Sequence, residues 1–382
     1  MLRNFGRCWL VVTGRGWDMS SSGQRTSLRP FVLSFLYSCL FLLLVFSYFK
    51  REKLRAFVFS VETDSLSCPA EDALNCESNP NCSSPAEDGD TVLLIWTWPF
   101  GQRFDLSCSS FNVTRCLLTD DRSLLQRADA ILFHHVDIHL ADIPTEPRPC
   151  FQKWAWLNME SPANSARIPE LDDLFNVTCS YRLDSDVPVP YGYLVPVTSE
   201  DESFKVPEKQ LLVCWIVSNW NRRHRRVQFY NELKRHVHVS VFGDAFGRRM
   251  SDGEFKSTMA SCKFYLSFEN SEHTDYITEK LYGPMMLGTV PVVLGPPRKN
   301  YEDHVPADAF IHVDDFPSAE LLAERLRQLD HDHHEYRSFF NWTRRFRVHR
   351  SWFGPEHVCK TCRYLQTHRG QHVCPRLNRF WC

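Results

Sequence analysis

The chain has 382 residues, which is enough for one large domain or two ordinary ones. Its 44 Lys and Arg residues against 46 Asp and Glu residues leave a formal net charge of −2, which argues against a protein that coats nucleic acid. A hydrophobic content of 43% supports a large buried core and excludes global disorder. The 15 cysteines are many for a cytosolic chain, and because their number is odd, at least one is left out of any internal pairing.

Residues 31–49 form an uncharged, strongly apolar run of 19 residues, which is long enough to cross a bilayer. The run lies far from the N-terminus and lacks a small-residue cleavage pattern, so a removed signal peptide does not explain it. Basic residues flank both ends, and the positive-inside rule therefore decides little about orientation. We expect an uncleaved signal anchor that follows a cytosolic tail at 1–30, with Met19 as an alternative start.

The features beyond this span are typical of an oxidising, glycosylating lumen. All cysteines except Cys8 and Cys39 lie C-terminal to it. The N-x-[ST] sequons for glycosylation also lie there, at Asn81, Asn112, Asn176 and Asn341. The sequence therefore predicts a single-pass type II membrane protein whose main body is lumenal.

Residues 50–90 are predicted to form a flexible stem. They contain few long apolar runs and are rich in Ser, Pro, Asn, Asp and Glu. Cys68, Cys76 and Cys82 lie in this stem, where they can form disulfides locally or with another chain.

From residue 91 onward, apolar runs of strand length alternate with amphipathic helical patterns. The runs are nearly continuous, as in parallel strands buried on both faces, and they span 91–98, 130–135, 153–159, 211–217, 238–242, 263–268, 289–294 and 309–313. Helices are predicted at 229–236 and at 318–329, the second capped by Ser318. The alternation predicts an α/β fold, and the polar segment 197–209 divides it into domains at 91–205 and 206–350 that enclose a cleft.

The sequence lacks the common nucleotide-binding, zinc-protease and serine-hydrolase motifs. Asp184 and Asp186 form a D-x-D, which holds a metal in some glycosyltransferases, but alone it is a weak signal and a surface turn is the simpler interpretation. The His-rich segment 331–334 favours a solvated loop over a chelating site. Cys359 and Cys362 have the C-x-x-C spacing of zinc ligands, although disulfides are favoured in a lumenal chain.

Residues 264–280 run from a strand through a polar turn into a helix, with Thr274 or Asp275 as the predicted cap. A helix N-terminus attracts phosphate through its free N–H groups, and Lys280 adds a positive charge there. The segment therefore fits a diphosphate site in which nearby side chains bond sugar hydroxyls, namely Asn270, Tyr276 and Glu279. Tyr276, Glu279 and Lys280 are spaced to share one helix face. An ordinary capped surface helix with an ion pair fits the pattern equally well.

The strand at 211–217 is followed by four arginines, Arg222, Arg223, Arg225 and Arg226. Arginines at the end of a strand suit an anionic ligand, and one of them aimed into the cleft would suffice. The alternative is that they form a solvated basic face.

Glu160 follows the Trp-bearing strand at 153–159 and is a candidate general base, since burial can raise the pKa of such a carboxylate. Trp154 and Trp156 on the same strand are candidates to lie against sugar faces. Taken alone, a glutamate at a strand end is more often structural.

Ordered blocks between Thr91 and Trp352 carry a resemblance to a known family. They include WPFG (98–101), FQKWAWLNMESP (151–162), YRLDSDVPVPYG (181–192), FYLSFENS (264–271) and DYITEKLY (275–282). In these blocks the chain resembles the animal α-1,3-fucosyltransferases, the Lewis-antigen enzymes, and among them the members that build Lewis x on lactosamine. The resemblance implies the GT-B fold, in which two Rossmann-like domains face a cleft.

The resemblance also implies an activity and a location. The activity is transfer of fucose, with inversion, from GDP-fucose to the 3-hydroxyl of N-acetylglucosamine in lactosamine-type glycans on glycoproteins and glycolipids, which makes Lewis x or sialyl Lewis x. The location is the Golgi membrane, with the catalytic domain in the lumen. No tightly bound cofactor is implied, and the D-x-D need not bind metal. A protein O-fucosyltransferase and a catalytically silent, glycan-binding Golgi protein are the alternatives.

The resemblance assigns roles by position in the blocks. Glu160 is the general base, and Arg226 and Lys280 hold the donor diphosphate. The remainder of the donor pocket, in the domain at 206–350, is formed by Ser218, Asn219, Tyr265, Asn270, Tyr276 and Glu279. On the acceptor side, in the domain at 91–205, we expect His134, His135 and Val136 of the FHH block and its next residue, together with Trp154 and Trp156.

Val136 and the Gly283-Pro284 pair depart from the family pattern. Val136 stands where relatives often carry Arg or Trp, so the preferred acceptor linkage stays open. Gly283 and Pro284 interrupt the last block, which predicts a shortened or kinked helix.

Disulfide partners are implied by the resemblance as well. Cys108 and Cys116 would join Cys359 and Cys362, and Cys214 would join Cys262. The first two bonds would tie the tail at 351–382 back to the N-terminal domain. Because the other lumenal cysteines are unassigned and odd in number, at least one is expected to be free or bonded to a second chain. The sequence therefore allows a homodimer, either disulfide-linked or non-covalent.

Overall fold

The computed structural model of the chain describes residues 89–198, 203–368 and 377–381. The predicted tail at 1–30, the signal anchor at 31–49, the stem up to residue 88 and the sequon at Asn81 lie outside these residues. Within the described ranges, no helix combines the length and the apolar character needed to cross a bilayer.

The N-terminal part of the described chain forms a six-stranded parallel sheet. Its strands are β1 (Thr91–Ile95), β2 (Cys116–Thr119), β3 (Ala130–His134), β4 (Lys153–Asn158), β5 (Val177–Ser180) and β6 (Val187–Pro188), in the spatial order β2-β1-β3-β4-β5-β6. All residues of β4 are buried, because it pairs with a strand on each side and both of its faces are covered.

Short 3-10 helices connect these strands, where the α/β pattern predicts α-helices. They are Pro99–Gly101, Ser109–Phe111, Arg122–Arg127, His135–Asp137, Leu140–Asp142, Pro162–Asn164 and Pro169–Leu171. The sheet is covered instead by a C-terminal α-helix, Pro355–Thr367, whose Val358, Cys359, Cys362 and Leu365 lie in the same hydrophobic core as β1, β3 and β4. The tail thus completes the N-terminal half of the fold.

The C-terminal half contains a five-stranded parallel sheet in the order β12-β11-β10-β8-β9. Its strands are β8 (Leu211–Ile216), β9 (Val239–Phe242), β10 (Cys262–Phe268), β11 (Val290–Leu294) and β12 (Ile311–His312). A two-stranded antiparallel sheet joins β7 (Gly192–Pro196) to β13 (Phe346–Arg350).

Seven α-helices are described in this half and in the tail. They are α1 (Arg225–Leu233), α2 (Asp252–Ser261), α3 (Glu279–Met286), α4 (Arg298–Glu302), α5 (Ala319–His331), α6 (His333–Ser338) and α7 (Pro355–Thr367). Ser318 caps α5 by accepting a hydrogen bond from the N–H of Leu321, as predicted. The remaining short 3-10 helices are Asp244–Phe246, Val313–Asp315, Asn341–Arg344 and Leu377–Phe380.

Helix α3 is short, as the Gly283-Pro284 pair predicts. It has eight residues and contains Pro284, and it ends at Met286. The predicted cap is wrong, because Thr278 rather than Thr274 or Asp275 precedes the first helical residue. Asp275 instead has a positive φ of 60°, and its carboxylate accepts hydrogen bonds from Leu183, Asn300 and His304.

Three disulfides are described, and they are the pairs that the resemblance implies. Cys108 bonds to Cys359, Cys116 to Cys362 and Cys214 to Cys262. The first two close loops of 251 and 246 residues and fasten α7 to the first sheet. In the chain-entropy model, a loop of this length makes each bond worth roughly 5 kcal/mol of stability.

The other cysteines in the described ranges behave differently from one another. Cys150 is also disulfide-bonded. Cys179 is a buried free thiol, and burial raises its pKa to about 12, so it stays protonated and unreactive. Cys374 and Cys382 lie outside the described residues, as do Cys68, Cys76 and Cys82.

Candidate active site

A cavity of about 420 Å³ opens where β8 and β10 end, at the edge where ligands bind in parallel α/β sheets. Each of these strands runs directly into a polar loop, and α3 begins beside them. Its lining includes Ser218, Asn219, Arg226, Tyr265, Asn270, Glu279 and Lys280. These are the predicted donor-pocket residues apart from Tyr276, and we call this space the donor cavity.

Arg226 is the one of the four neighbouring arginines that is buried and lines the donor cavity, and its side chain is held by the two loops after the strands. Its guanidinium donates to the carbonyl of Asn219 at 2.5 Å and to that of Phe268 at 3.4 Å. Its Nε–H is buried and has no partner in the described part of the chain. Burial lowers the pKa of Arg226, but an arginine keeps its charge in proteins. A buried cation with an unused donor is suited to an anionic ligand.

The neighbouring arginines have other roles. Arg225 pairs with Glu272 and Asp314, and Arg222 and Arg223 are exposed. They belong to the basic face that the sequence pattern leaves open as an alternative.

Lys280 lies between two carboxylates at the start of α3. Its Nζ is 3.1 Å from Glu269, 3.1 Å from Glu279 and 2.7 Å from the Thr278 hydroxyl. Burial alone would lower the pKa of Lys280, but the two carboxylates raise it overall. Lys280 is therefore a cation at working pH.

Glu269 is a site residue that the sequence pattern does not predict. It is 2% exposed, and it accepts hydrogen bonds from the Thr278 N–H and hydroxyl at 2.8 and 2.9 Å. It thereby fixes both the cap of α3 and the position of Lys280. Burial raises the pKa of Glu269, and Lys280 opposes that shift. Its position directly before Asn270, at the end of β10, could have marked Glu269 as a site residue. Nothing in the local sequence, however, indicates that its side chain is buried.

Tyr276 does not line the donor cavity, so this prediction is wrong. It precedes α3, and its i, i+3, i+4 spacing with Glu279 and Lys280 is therefore not helical spacing. The residue is 3% exposed, and its ring packs against Tyr181 and Tyr191, with centroids 5.2 and 6.2 Å apart.

A second cavity, of about 240 Å³, contains Glu160 and is called the Glu160 cavity. It shares Glu279 and Arg350 with the donor cavity, so the two spaces adjoin. The remaining lining residues are Phe100, His134, Met159, Tyr191, Ser351, Phe353 and His357. Phe100, Ser351, Phe353 and His357 come from parts of the chain that are distant from Glu160 in the sequence. The sequence patterns do not predict these four residues.

Glu160 is placed by the end of β4. The side chain of Asn158 is fully buried and accepts a hydrogen bond from the Glu160 N–H at 3.1 Å, while it donates to Ser165. The hydroxyl of Tyr191 donates to the carbonyl of Met159. These bonds hold the backbone on which the half-buried Glu160 stands.

The predicted acceptor-side residues divide into two groups. His134 lines the Glu160 cavity, and its Nδ1 is 2.6 Å from Asp137. Burial lowers the pKa of His134, although Asp137 acts in the opposite direction. Val136 is 49% exposed but is not among the residues that line this cavity.

Trp154, Trp156 and His135 do not face the cleft, so these three predictions are wrong. Trp154 is 5% exposed and Trp156 is completely buried, because both faces of β4 are covered. Trp156 donates its Nε1–H to Nδ1 of His135 at 3.1 Å, and Nε2 of His135 lies 3.0 Å from the carbonyl of Ala166. All three belong to the core.

The D-x-D and the C-x-x-C segments, which were considered for metal binding, have other partners. Asp186 accepts from the N–H and the hydroxyl of Thr178, both at 2.9 Å, and Asp184 pairs with Arg182. Cys359 and Cys362 are in disulfides. Over the described ranges, no three His, Cys, Asp or Glu side chains converge as metal ligands would.

The described sequons lie at the surface to different degrees. Asn112 and Asn341 are exposed, whereas Asn176 is half-buried and its Oδ1 accepts from the N–H of Trp154.

Almost the whole part of the chain that carries the two cavities matches known family models. Residues 206–381 match the family model described as Glycosyltransferase family 10 (fucosyltransferase) C-term, and residues 88–192 match the model described as Fucosyltransferase, N-terminal.

Curated relatives are similar over most of their length. The chain is 43% identical to 4-galactosyl-N-acetylglucosaminide 3-alpha-L-fucosyltransferase 9 of Mus musculus and of Homo sapiens, over 94% of this chain and 99% of theirs. It is 45% identical to Alpha-(1,3)-fucosyltransferase 7 of Bos taurus, over 75% of this chain and 85% of the relative. Among solved structures, an alpha1,3-fucosyltransferase with GDP-fucose is 15% identical with a TM-score of 0.48, covering 76% of this chain and 92% of that one.

Proposed function

Because the chain belongs to glycosyltransferase family 10, the fucosyltransferases, we propose that it transfers fucose from GDP-fucose to the 3-hydroxyl of N-acetylglucosamine in lactosamine-type glycans, with inversion at the anomeric carbon. One observation carries the proposal. A cavity with two buried or half-buried cations, Arg226 and Lys280, adjoins the cavity that contains Glu160, and Glu279 and Arg350 line both. On this proposal the two parallel-sheet halves form a GT-B enzyme.

The donor cavity supplies the charge that the leaving group requires. Arg226 and Lys280 would hold the diphosphate of GDP-fucose, and Asn270 and Glu279 would bond its hydroxyl groups. As the bond between the anomeric carbon and the phosphate oxygen breaks, its electron pair moves onto the diphosphate. Fixed cations stabilise that charge most strongly at the transition state. Since these side chains supply the positive charge, the mechanism calls for no metal ion and no bound cofactor.

Glu160 performs the other half of the reaction. The acceptor 3-hydroxyl attacks the anomeric carbon on the face opposite to GDP, and its proton passes to the Glu160 carboxylate. A glycosidase needs a second carboxylic acid to protonate its leaving group. GDP leaves as an anion already matched by cations, so one carboxylate is sufficient here.

We further propose that the enzyme is a Golgi type II membrane protein. The apolar run at 31–49, the polar stem at 50–90 and the sequons at Asn81, Asn112, Asn176 and Asn341 support this location. Disulfides that link distant segments also fit an oxidising compartment. Sensitivity of the expressed chain to N-glycosidase, together with protection of its body from protease in sealed vesicles, tests this topology.

The test of the activity uses the full chain solubilised in detergent, with GDP-fucose and lactosamine. We expect a fucosylated product, and we expect Glu160→Gln to abolish nearly all of it. Glu170→Gln removes an exposed carboxylate ten residues away and serves as the matched control. No product with the unaltered chain, or equal rates for the chain and its Glu160→Gln variant, would contradict the proposal.

A further inference from the structure

His357 is a buried histidine in the Glu160 cavity that the mechanism above does not use. It is 1% exposed and lies in the first turn of α7. Neither of its ring nitrogens has a hydrogen-bond partner within the described residues. The ring faces the backbone of Trp352 without reaching hydrogen-bonding geometry. Unsatisfied buried polar atoms are costly, and those retained at a site call for a partner that arrives with a ligand.

The surroundings of His357 keep it uncharged. Burial lowers its pKa to about 3, and the charges of Lys360 and His134 contribute in the same direction. Its ring also packs against Phe353, with centroids 5.4 Å apart. A neutral imidazole offers one donor and one acceptor, which is suited to a sugar hydroxyl, since a hydroxyl can both donate and accept.

The fold explains why this residue is held at the cavity. Helix α7 is fastened to the first sheet by Cys359 and Cys362, which lie two and five residues beyond His357. At the start of the helix, Glu356 accepts a hydrogen bond from the N–H of Trp352 at 3.0 Å and pairs with Lys360 at 2.7 Å. Each turn of the helix near His357 is therefore fixed, which limits how far the ring can move.

We propose that His357 binds a hydroxyl group of the acceptor sugar through an unpartnered ring nitrogen, and so orients the acceptor toward Glu160. The inference rests on the proposed function and assigns a specificity residue to its acceptor side. Removing the ring's hydrogen-bonding atoms should therefore weaken acceptor binding and leave donor binding intact. The hydroxyl that His357 binds should be the one whose removal from the acceptor lowers the activity of the unaltered chain but not that of a variant without the ring nitrogens.

The test compares the full chain with His357→Phe, which fills the volume without hydrogen bonds, and His357→Gln, which restores a donor and an acceptor. We expect His357→Phe to raise KM for lactosamine about tenfold with KM for GDP-fucose unchanged, and His357→Gln to recover part of the loss. Phe339→Leu, at a half-buried aromatic position outside both cavities, is the control for a general effect of altering an aromatic position.

A panel of lactosamines that each lack one hydroxyl group makes the test specific. The unaltered chain should lose activity on one deoxy analogue that His357→Phe uses as well as it uses lactosamine. An identical ranking of all analogues by the two proteins would overturn the inference, as would a rise in KM for GDP-fucose equal to that for the acceptor. If the unaltered chain used no lactosamine at all, the proposed function itself would fail, and that outcome is distinct from the others.

Discussion

The donor cavity and the Glu160 cavity adjoin, yet they are built in different ways. Most of the polar residues predicted for the donor cavity lie on the loops after β8 and β10 and at the starts of α1 and α3. The segment after β9, helix α2 and Arg350 of β13 complete its lining. The Glu160 cavity contains Phe100 from the short 3-10 helix after β1, Glu160 from the end of β4, and Phe353 and His357 from the C-terminal tail. The two buried or half-buried cations of the donor cavity therefore lie in helix starts near strand ends, whereas most of the Glu160 cavity is assembled from segments that are distant in the sequence.

The largest effect expected from this comparison is on Glu160. Replacing it by Gln removes the proton acceptor but keeps the side-chain shape, so kcat should fall by about a thousandfold. GDP binding, measured by calorimetry, should be unchanged because the proposal places the diphosphate in the other cavity. A loss of GDP affinity in this variant would show that the two cavities do not divide the work as described.

The next largest effect is expected at Arg226. Arg226→Gln removes a buried cation from the donor cavity, and kcat/KM for GDP-fucose should fall by about a hundredfold, while KM for lactosamine stays the same. Arg223→Gln, in the same basic segment but exposed, is the matched control and should have no effect. Equal losses in both variants would favour a general electrostatic role for the basic face.

A smaller effect, with a pH signature, is expected at Glu269. Glu269 and Glu279 raise the pKa of Lys280 against the lowering effect of burial, so Glu269→Gln should lower that pKa. Lys280 would then lose its proton at a lower pH, and the alkaline decline of kcat/KM for GDP-fucose should move to lower pH. Near neutral pH the loss should be about tenfold.

The exposed Glu320 in the first turn of α5 provides the control for this pH measurement. Glu320→Gln should leave the pH profile in place. An unshifted alkaline limb in the Glu269 variant would mean that Glu269 acts on the fold and not on the charge of Lys280.

The smallest effects separate the true lining of the Glu160 cavity from the residues behind it. Phe353→Ala should raise KM for the acceptor about threefold, because Phe353 is 42% exposed and lines the cavity. Trp156→Phe should leave KM unchanged and cost about 2 kcal/mol of stability, because it loses packing and its hydrogen bond to His135. Thermal unfolding measures the change in stability, and initial rates measure KM for the acceptor. A raised acceptor KM in the Trp156 variant would show that this side chain lies at the site.

The contrast between the cavities also explains which elements and which site residues can be predicted from the sequence. The strands of both sheets that carry continuous apolar runs are predicted closely, as are α5 and its cap Ser318, because period and capping are local properties. The short strands β2, β5, β6, β7 and β13 are not predicted, since two to five residues with mixed burial show no clear period.

Among the residues that line the donor cavity, Ser218 and Asn219 are predicted through the resemblance, whereas Arg226, Asn270 and Lys280 are also marked by strand-to-helix patterns in the sequence. The prediction for Trp156 is wrong because β4 lies inside the sheet and both of its faces are covered. The prediction for Tyr276 is wrong because α3 begins at Glu279, after Tyr276. Glu269 and His357 are missed since their burial is a tertiary property. The tail could be placed near the first sheet only through the disulfides that the resemblance implies.

The central claim is that the acceptor hydroxyl and the donor diphosphate meet where the two cavities adjoin, with Glu160 on one side and Arg226 and Lys280 on the other. A crystal structure of the protein with GDP and lactosamine bound together tests it most directly. We predict the 3-hydroxyl of N-acetylglucosamine within hydrogen-bonding distance of the Glu160 carboxylate, and the diphosphate on Arg226 and Lys280. An acceptor bound away from Glu160, or a diphosphate that contacts neither cation, would contradict the account.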